Sequence, residues 1–401
     1  MAVRAVVPES HPLTRRLLLV LAVACGLSVA NIYYAQPLLA DIGRTFSVSA
    51  RQLGVLSMMT QIGYAVGLFL FVPLGDRFEQ RRLIVVMLGV VACMLAAVAL
   101  APTLLWLYIA SLLMGVTTVV PQLIVPLAAN LAREEERGKV VGTVMSGLLI
   151  GVLLARTFAG FVGAWFGWRT MFGVAAVLMI ALGMVLYMLL PVRHPDSKTA
   201  YGEILASLFR LTRELGPLRE AAAMGGLLFG AFSVFWTTLV FRLGSPPYHY
   251  GSEVAGLFGL VGVAGASIAP VAGRLADRQS PRRVAAMGAL FTLLSFALFA
   301  VLDDWLWGLV FCVILLDLGV QGAQISNQAR IYSLRPDARN RLNTVYMVTY
   351  FVGGALGSAL GADAWSAYGW PGVCVVGGVF ALLAVYLGWR RVRPLAVNAE
   401  K

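Results

Sequence analysis

The sequence has few charged residues. Aspartate, glutamate, lysine and arginine make up 12% of its 401 residues, whereas a soluble domain carries about 25%. Hydrophobic residues reach 60%, and the mean hydropathy is +0.83. A chain with so little polar surface cannot stay in water, so the composition excludes a soluble enzyme and a nucleic-acid binder.

Residues for metal, redox and ATP chemistry are also scarce. The three histidines lie in a tail or in loops, so a predicted membrane span holds none of them, and an intramembrane enzyme lacks its base or metal ligands. No stretch matches the phosphate loop Gly-x-x-x-x-Gly-Lys-Ser/Thr, which leaves ATP drive unsupported. We expect no metal, no cofactor and no enzymatic activity. The four cysteines form no C-x-x-C pair and are interpreted as buried small hydrophobic residues: Cys25, Cys93, Cys312 and Cys374.

Long apolar stretches recur from end to end. Crossing a bilayer takes about 20 mostly apolar residues, and twelve stretches qualify. The pattern predicts an all-α membrane protein with twelve transmembrane helices, the first retained and not a signal peptide. The twelve stretches run at about 17–40, 54–75, 83–103, 105–130, 140–165, 170–192, 221–242, 254–273, 284–302, 305–329, 342–365 and 371–389.

Lysine and arginine lie mostly on one side of these spans. With twelve spans both termini share a side, and its loops and tails hold 26 of the 31 basic residues, against four on the other side. Basic loops stay in the cytoplasm, so we predict cytoplasmic termini in a bacterial inner-membrane protein. The net charge of +12 is therefore a topology signal and not a nucleic-acid signal.

The two halves of the chain repeat each other. Residues 76–82 read DRFEQRR after the second span, and residues 277–283 read DRQSPRR after the eighth, 201 positions later. A Gly-Trp pair ends the fifth span at 167 and recurs at 369. We predict two pseudo-symmetric six-helix halves, 1–192 and 220–401, joined by a cytoplasmic linker, 193–219. Parallel repeats of this kind are typical of one group of secondary transporters.

The duplicated Asp-Arg-x-x-x-Arg-Arg loop resembles the signature loop of the major facilitator superfamily. The likeness covers the whole chain, including twelve spans, two halves and a central linker, although Val72 and Gln80 stand where the first loop would have glycines. The resemblance implies that Asp76 meets the start of span eleven and Asp277 the start of span five, where a carboxylate can accept from free helix N–H groups. It thus implies a cytoplasmic gate made by Asp76, Arg77, Asp277 and Arg278.

Three ionisable residues lie well inside spans: Arg156, Asp317 and Asp363. Asp317 is about 18 Å from the outer end of span ten, near the midplane. A carboxylate removed from water binds a proton more readily, so Asp317 is the candidate proton carrier, with a structural hydrogen bond as the alternative. Arg156 can bind a carboxylate of the substrate or of the protein. Its depth differs from that of Asp317 by about 12 Å, so we do not assume a direct salt bridge, and snorkelling or a fixed pair with a protein carboxylate is the alternative.

Polar residues line one face of several spans. Asp317, Gln321, Gln324 and Gln328 follow helical spacing on span ten, and the resemblance implies that spans one, four, seven and ten line a central cavity. Hydrogen bonds between helices are the alternative use of these polar groups. The candidate substrate-binding residues are Asn31, Tyr34, Gln61, Thr118, Gln122, Arg156, Ser233, Trp236, Gln321, Gln324, Tyr346 and Tyr350.

Span five bears on the direction of transport. Drug–proton antiporters of the superfamily often carry Gly-x-x-x-Gly-Pro-x-x-Gly-Gly there, and this chain keeps Gly147 and Gly151 but has Val152 and Ala155-Arg156 later. We predict a monomeric transporter that moves a small organic solute by alternating access, with proton-coupled efflux of a drug or metabolite favoured. The alternatives are a proton-coupled importer of a small organic anion and a lipid flippase on the same fold. Its partners are the solute, protons and the bilayer.

Overall fold

The computed structural model describes residues 14–192, 200–266, 280–335 and 338–390, and for Asp76, Glu134 and residues 263–266 it describes the backbone alone. These ranges are almost entirely helical, which confirms the predicted all-α class. Short 3₁₀ turns follow α3 and α6. The helices are α1 (Arg15–Ala30), α2 (Ala35–Phe46), α3 (Ala50–Phe71), α4 (Gln80–Ala99), α5 (Leu104–Thr117), α6 (Val120–Leu131), α7 (Arg137–Phe166), α8 (Trp168–Leu189), α9 (Tyr201–Glu214), α10 (Gly216–Gly244), α11 (Ser252–Ala266), α12 (Pro281–Phe299), α13 (Leu306–Tyr332) and α14 (Arg339–Trp389).

Helix starts follow local sequence signals. The hydroxyl of Thr14 accepts from the backbone N–H of Leu17 at 3.2 Å, and that of Thr103 accepts from Trp106 at 3.3 Å, which satisfies a free donor at each helix start. Proline has no N–H to lose and fits the first turn. It occupies that position in α6, α10 and α12.

The predicted connector between the halves contains a helix. Three apolar residues of α9 are buried, Ile204, Leu208 and Leu211. The hydroxyl of Tyr201 donates to the carbonyl of Leu70 at 2.8 Å, so α9 lies against the end of α3. We call this end of the helix bundle the linker side and the opposite end the far side.

Ten helical stretches within the described residues are long and apolar enough to cross a membrane. The pairs α1–α2 and α5–α6 each form one of them, interrupted at the centre. The 51 residues of α14 would extend about 77 Å, against a bilayer core of about 30 Å, so α14 accounts for two spans. The shorter α11 occupies the place of the predicted eighth span, and the chain after it, 267–279, lies outside the described residues.

The two spans of α14 run antiparallel. Gly369 has φ 62° and ψ −150°, a left-handed conformation that favours glycine. A Cβ at Gly372 would lie 2.8 Å from the carbonyl oxygen of Ala364, so the chain reverses tightly here. The first end of α14 meets α13, where Gln328 donates to Asn343 at 3.3 Å. The predicted spans eleven and twelve are therefore a hairpin.

The halves meet through α3 and α14 on the far side. Arg51 pairs with Asp363 at 2.9 Å, with 72% and 50% of their side chains exposed. Next to this pair, a Cβ on Gly54 would collide with the Cβ of Ala362. The ion pair is too exposed to contribute more than about 1 kcal/mol, so close backbone packing carries this contact.

A second contact between the halves joins α7 and α11. The hydroxyl of Thr157 donates to the carbonyl of Gly256 at 3.0 Å, and a Cβ on Gly160 would lie 2.9 Å from the Cα of Gly256. Both residues of α7 lie in its last third, toward the far side. The two halves are thus joined at the far-side ends of two helix pairs.

Glycines also bring α10 and α14 together within the second half. Gly353 faces Gly226 and Gly357 faces Gly230 so closely that an added Cβ would collide with a backbone oxygen. Small residues at such spacing let helix backbones approach each other in membranes. The strip of Gly353, Gly357 and Gly361 therefore packs α14 against α10.

Replacing Gly357 with alanine puts a methyl group where the α10 backbone lies. We expect the free energy of unfolding to fall by about 1–3 kcal/mol, measured as a lower melting temperature of the detergent-purified protein. Gly378→Ala in the same helix is the control, because a Cβ there meets nothing within 4 Å. Equal melting temperatures for the two variants would contradict the packing role.

Candidate functional site

The first span is interrupted at its centre. α1 ends at Ala30, and residues 31–34 form turns in which the N–H of Asn31 donates to Ser28 at 3.4 Å and that of Tyr33 to Ala30 at 2.9 Å. α2 then starts at Ala35. The interruption directs the side chains of Tyr33 and Gln36 to Arg156 on α7.

Arg156 is buried with only 1% of its surface exposed. Its Nε donates to Oε1 of Gln36 at 2.7 Å, and Nη1 lies 3.4 Å from the carbonyl of Val152. The guanidinium carbon is 4.0 Å from the ring centre of Trp236 and 4.7 Å from that of Tyr33. Aromatic faces attract cations, so these rings offset part of the cost of burying the charge.

Two hydrogen-bond donors in this cluster remain unused. Nη2 of Arg156 and Nε1 of Trp236 are buried and have no partner among the described residues. Both groups donate only and cannot accept. A buried donor without a partner costs about 1–3 kcal/mol, and more when it is charged, so the cluster favours an acceptor beside it.

Asp317 lies near this cluster on the other half of the molecule. It is 3% exposed, and its Oδ2 has no partner within the described part of the chain. Two glycines of α11 adjoin both charged residues. A Cβ at Gly259 would lie 3.0 Å from Cβ of Arg156, and a Cβ at Gly262 would lie 2.7 Å from Oδ2 of Asp317. Three residues rise about 4.5 Å along a helix, so the two charges face adjacent turns of α11.

The predicted depth difference between Arg156 and Asp317 was wrong. Arg156 is ten residues from the far-side end of α7 and Asp317 eleven from that of α13, so both lie about 15–17 Å deep. The prediction counted the depth of Arg156 from the linker side. Because α7 has 30 residues and extends beyond the bilayer core, that count placed Arg156 too near the far side. No N–O pair of Arg156 and Asp317 comes within 4 Å, but the two charges interact electrostatically through space.

The polar stripe of α13 continues from Asp317 toward the linker side. Gln321, Gln324 and Gln328 are half-buried. Gln324 accepts from the hydroxyl of Tyr350 at 3.1 Å. Tyr346 is fully buried one turn away from Tyr350. The stripe and the two tyrosines thus lie together on the linker side of Arg156 and Asp317.

Gln61 and Ser233 belong to a separate group of hydrogen bonds. Gln61 donates to the hydroxyl of Ser358 at 2.8 Å and accepts from Ser233 at 3.4 Å, and Thr237 also bonds to Ser358, at 2.9 Å. All four side chains are buried. In this arrangement they join α3 of the first half to α10 and α14 of the second.

Asn31, Thr118 and Gln122 have their contacts away from Arg156. The amide of Asn31 faces the sulfur of Met179 on α8 at 3.3 Å, and the hydroxyl of Thr118 donates to the carbonyl of Met114 in its own helix at 2.7 Å. Gln122 borders a crevice on the linker side, and Tyr34 is buried. The sequence argument assumed an unbroken helix, whereas the chain turns at 31–34 and at 118–119, which rotates these side chains.

Sequence reasoning missed Tyr33 and Phe232, and it left Gln36 out of the candidate set. The guanidinium carbon of Arg156 lies 5.6 Å from the ring centre of Phe232. The available signals were a lone glutamine in an apolar span and an aromatic residue one turn before Trp236. Neither signal shows orientation, which depends on the interruption of the first span.

The predicted gate lies mostly beyond what the structure describes. The backbone of Asp76 ends a 3₁₀ turn and Arg77 is exposed, whereas Asp277 and Arg278 fall outside the described residues. A crevice is lined by Gly75 from the first loop and by Arg341 from the start of α14. The backbone beside Asp76 thus borders the same space as the helix start it was expected to meet.

Three of the four cysteines are buried, and none joins a metal-binding group among the described residues. Within 14–192, 200–266, 280–335 and 338–390 the structure places no three His, Cys, Asp or Glu side chains so that they could hold a metal. Cys25, Cys312 and Cys374 are buried as expected, but Cys93 is exposed on α4. A lipid-facing helix surface is apolar as well, so an apolar stretch cannot tell the two environments apart.

The all-helical fold with its long apolar helices agrees with a known transporter family. The Major Facilitator Superfamily matches residues 19–358 and 257–401. The chain belongs to the major facilitator superfamily. It is therefore a multi-pass membrane transporter and not an enzyme, as the sequence predicted.

Relatives are similar over nearly the whole chain. The uncharacterised transporter YgaY of Escherichia coli O157:H7 is 44% identical over 381 residues, 95% of this chain and 97% of that protein. The probable transporter SCO4007 of Streptomyces coelicolor is 36% identical over 383 residues, 95% and 88% of the two chains. A probable sugar efflux transporter of Pasteurella multocida is 24% identical over 370 residues, 87% and 85% of the two chains.

A solved structure shows the same fold. It is the inward-facing, unoccupied form of a bacterial homologue of the human lysosomal transporter Spinster, with a TM-score of 0.74, 16% identity, and 92% of this chain and 95% of that chain covered. At this identity the likeness concerns the fold alone, and it confirms the predicted superfamily architecture.

The far-side contact between the halves can be tested by placing a larger side chain, as a wedge, between α3 and α14. Gly54→Val should hold α3 and α14 apart, because even a Cβ at this position collides with Ala362. We expect a cysteine placed at the fully buried Thr237 to react severalfold faster with a membrane-impermeant thiol reagent, in a chain whose own cysteines are replaced.

The control for this wedge is Gly89→Val, because a Cβ at Gly89 of α4 meets nothing within 4 Å. It should leave the labelling rate unchanged. Equal rates for the two valine variants would mean that α3 and α14 do not close the far side.

Proposed function

We propose that the chain is a proton-coupled secondary transporter that moves a small organic solute across the bacterial inner membrane by alternating access. The observation that carries the proposal is the pair of Arg156 and Asp317. They belong to different halves and are buried beside adjacent turns of α11, and each keeps a polar atom that has no partner among the described residues. Charges inside a membrane protein are costly and usually mark ion or substrate pathways.

Asp317 is the proposed proton carrier. A nearby cation favours the charged carboxylate, and removal of that cation favours the protonated form. Because Arg156 belongs to the first half and Asp317 to the second, separation of the halves on the far side would move the cation away. Asp317 would then take up a proton at Oδ2 and release it after the halves close again.

The orientation proposed here follows from the basic residues. The loops and tails predicted to share a side with the linker contain 26 of the 31 lysine and arginine residues, which supports a cytoplasmic linker and cytoplasmic termini. The far side then faces the periplasm. The proposed unit is a monomer, because one chain supplies both halves and the residues between them.

Two directions of transport have support. Export is supported by the sugar efflux transporter among the relatives and by the two retained glycines of span five, Gly147 and Gly151, which pack against Ala22 and Gly26 of α1. Import of an organic anion together with a proton is supported by the buried guanidinium of Arg156. A comparison of metabolite uptake and efflux between a deletion strain and an overexpressing strain decides between them.

Replacing Asp317 with asparagine removes the proposed proton carrier. With the solute found in that comparison, we expect transport driven by a pH gradient into proteoliposomes to be lost, while solute counterflow stays measurable. Asp363→Asn is the matched control, because Asp363 is half exposed and pairs with Arg51. Gradient-driven rates in Asp317→Asn that equal those of the control would refute proton coupling through this residue.

The proposed gate gives a second test. Asp76→Asn should loosen the linker side and speed the labelling of a cysteine at Thr344, and Asp277→Asn should do so at Val140, near the start of α7. Both positions are about nine-tenths buried or more. Glu203→Gln, an exposed acid on α9, is the control. Unchanged labelling in both aspartate variants would leave Asp76, Arg77, Asp277 and Arg278 as topology signals only.

A further inference from the structure

We propose that the transported solute is a small organic anion with an apolar body, that Arg156 and Trp236 bind its carboxylate or similar oxyanion, and that Asp317 competes with it for Arg156. This inference rests on the proposed transport function and assigns its substrate class. It also selects movement of the anion together with a proton.

Arg156 and Trp236 each have a hydrogen-bond donor that is not used. Nη2 of Arg156 and Nε1 of Trp236 are both buried donors without a partner in the described residues, and the guanidinium lies 4.0 Å from the Trp236 ring. Another nitrogen of Arg156, Nε, already donates to Gln36. Two adjacent free donors, one of them charged, suit the two oxygens of a carboxylate better than a neutral solute.

Asp317 is the only buried acid beside Arg156 among the described residues. Asp317 adjoins the next turn of α11, but it forms no ion pair with Arg156 within 4 Å, and its Oδ2 also has no partner in the described ranges. A fixed structural pair would satisfy both groups. The observed separation leaves the guanidinium able to exchange one carboxylate for another.

A row of aromatic rings leads from Arg156 toward the linker side. Trp236, Phe232 and Phe229 lie on one face of α10, with ring centres 5.8 Å and 5.6 Å apart, and Tyr350 stacks on Phe229 at 4.0 Å. The space beside Arg156 and Trp236 is only about 10 Å³, roughly enough for one water. The charged group of a solute would therefore reach Arg156 while its apolar body lies along these rings.

Competition for Arg156 couples the anion to the proton. A proton on Oδ2 neutralises Asp317, so the guanidinium loses its protein counter-charge and binds a solute anion more tightly. The titratable groups that interact with Asp317 are Arg156 on α7 and Tyr350 on α14, whereas α11 presents Gly262. Within the part of the chain that the structure describes, the elements packed around Asp317 thus contribute one cation. The anion and the proton therefore load together.

Binding to the purified full-length chain tests this without any gradient. The probes are benzoate, phenylacetate and hexanoate, each paired with its neutral amide, and the readout is the melting temperature in detergent. The acids stay ionised at about pH 6 and about pH 8. We expect at least one carboxylate to stabilise the protein, more strongly at the lower pH, and its amide to have no effect.

Variants separate binding from folding. Asp317→Asn should bind the carboxylate at the higher pH as tightly as at the lower one. Arg156→Lys should bind about tenfold more weakly, because it keeps the charge but loses the planar fork. Arg156→Gln combined with Asp317→Asn removes both charges, so it should fold but lose the carboxylate effect. Arg169→Gln, which removes an arginine 4.3 Å from the Trp168 ring, is the matched control and should bind normally.

The inference is overturned if no carboxylate stabilises the wild-type chain, if the amides act equally, or if the double variant still responds. Retention of the wild-type pH dependence by Asp317→Asn overturns the competition. These outcomes differ from failure of the proposed function. Gradient-driven transport without carboxylate binding would leave proton coupling standing, and carboxylate binding with no loss of coupling in Asp317→Asn would remove the proton carrier but keep the anion site.

Discussion

The arrangement at the centre of this transporter depends on the cost of burying one guanidinium. An arginine cannot give up its proton inside a protein, so every neighbour of Arg156 must accommodate a permanent charge. Gln36 accepts one hydrogen bond, aromatic rings cover its faces, and Asp317 supplies a distant counter-charge. Because these contacts come from both halves, the compensation changes whenever the halves move. The energetic problem of a single residue is thereby linked to the motion of the whole molecule.

The glycines explain how such a cluster forms. Side chains on α11 at positions 259 and 262 would keep α7 and α13 away from it, and their absence lets Arg156 and Asp317 approach the same helix. Within the second half, glycine contacts between α10 and α14 bring two backbones together in the same way. Glycine therefore sets the spacing of helices both within the second half and between the two halves.

Much of the fold could be predicted from the sequence, because a bilayer imposes the length and polarity of each span. The repeated halves followed from the DRFEQRR and DRQSPRR loops, and Arg156 and Asp317 stood out as charges in apolar stretches. The depth of Arg156 was predicted wrongly because it was counted from the cytoplasmic end of span five, and α7 with its 30 residues is longer than the bilayer core is thick. The partners of Arg156 could not be predicted, since a turn at 31–34 decides where Tyr33 and Gln36 point.

The bare face of α11 has a kinetic consequence. Helices normally interlock, with side-chain ridges of one lying in the grooves of the other, and sliding them requires those side chains to disengage. Gly256 and Gly259 present backbone to α7. Few interlocked side chains would therefore have to separate when α7 slides along α11. At the contact of α7 with α11, the rate of sliding would then depend on the polar contacts that must break, such as Thr157 with Gly256, more than on repacking of side chains.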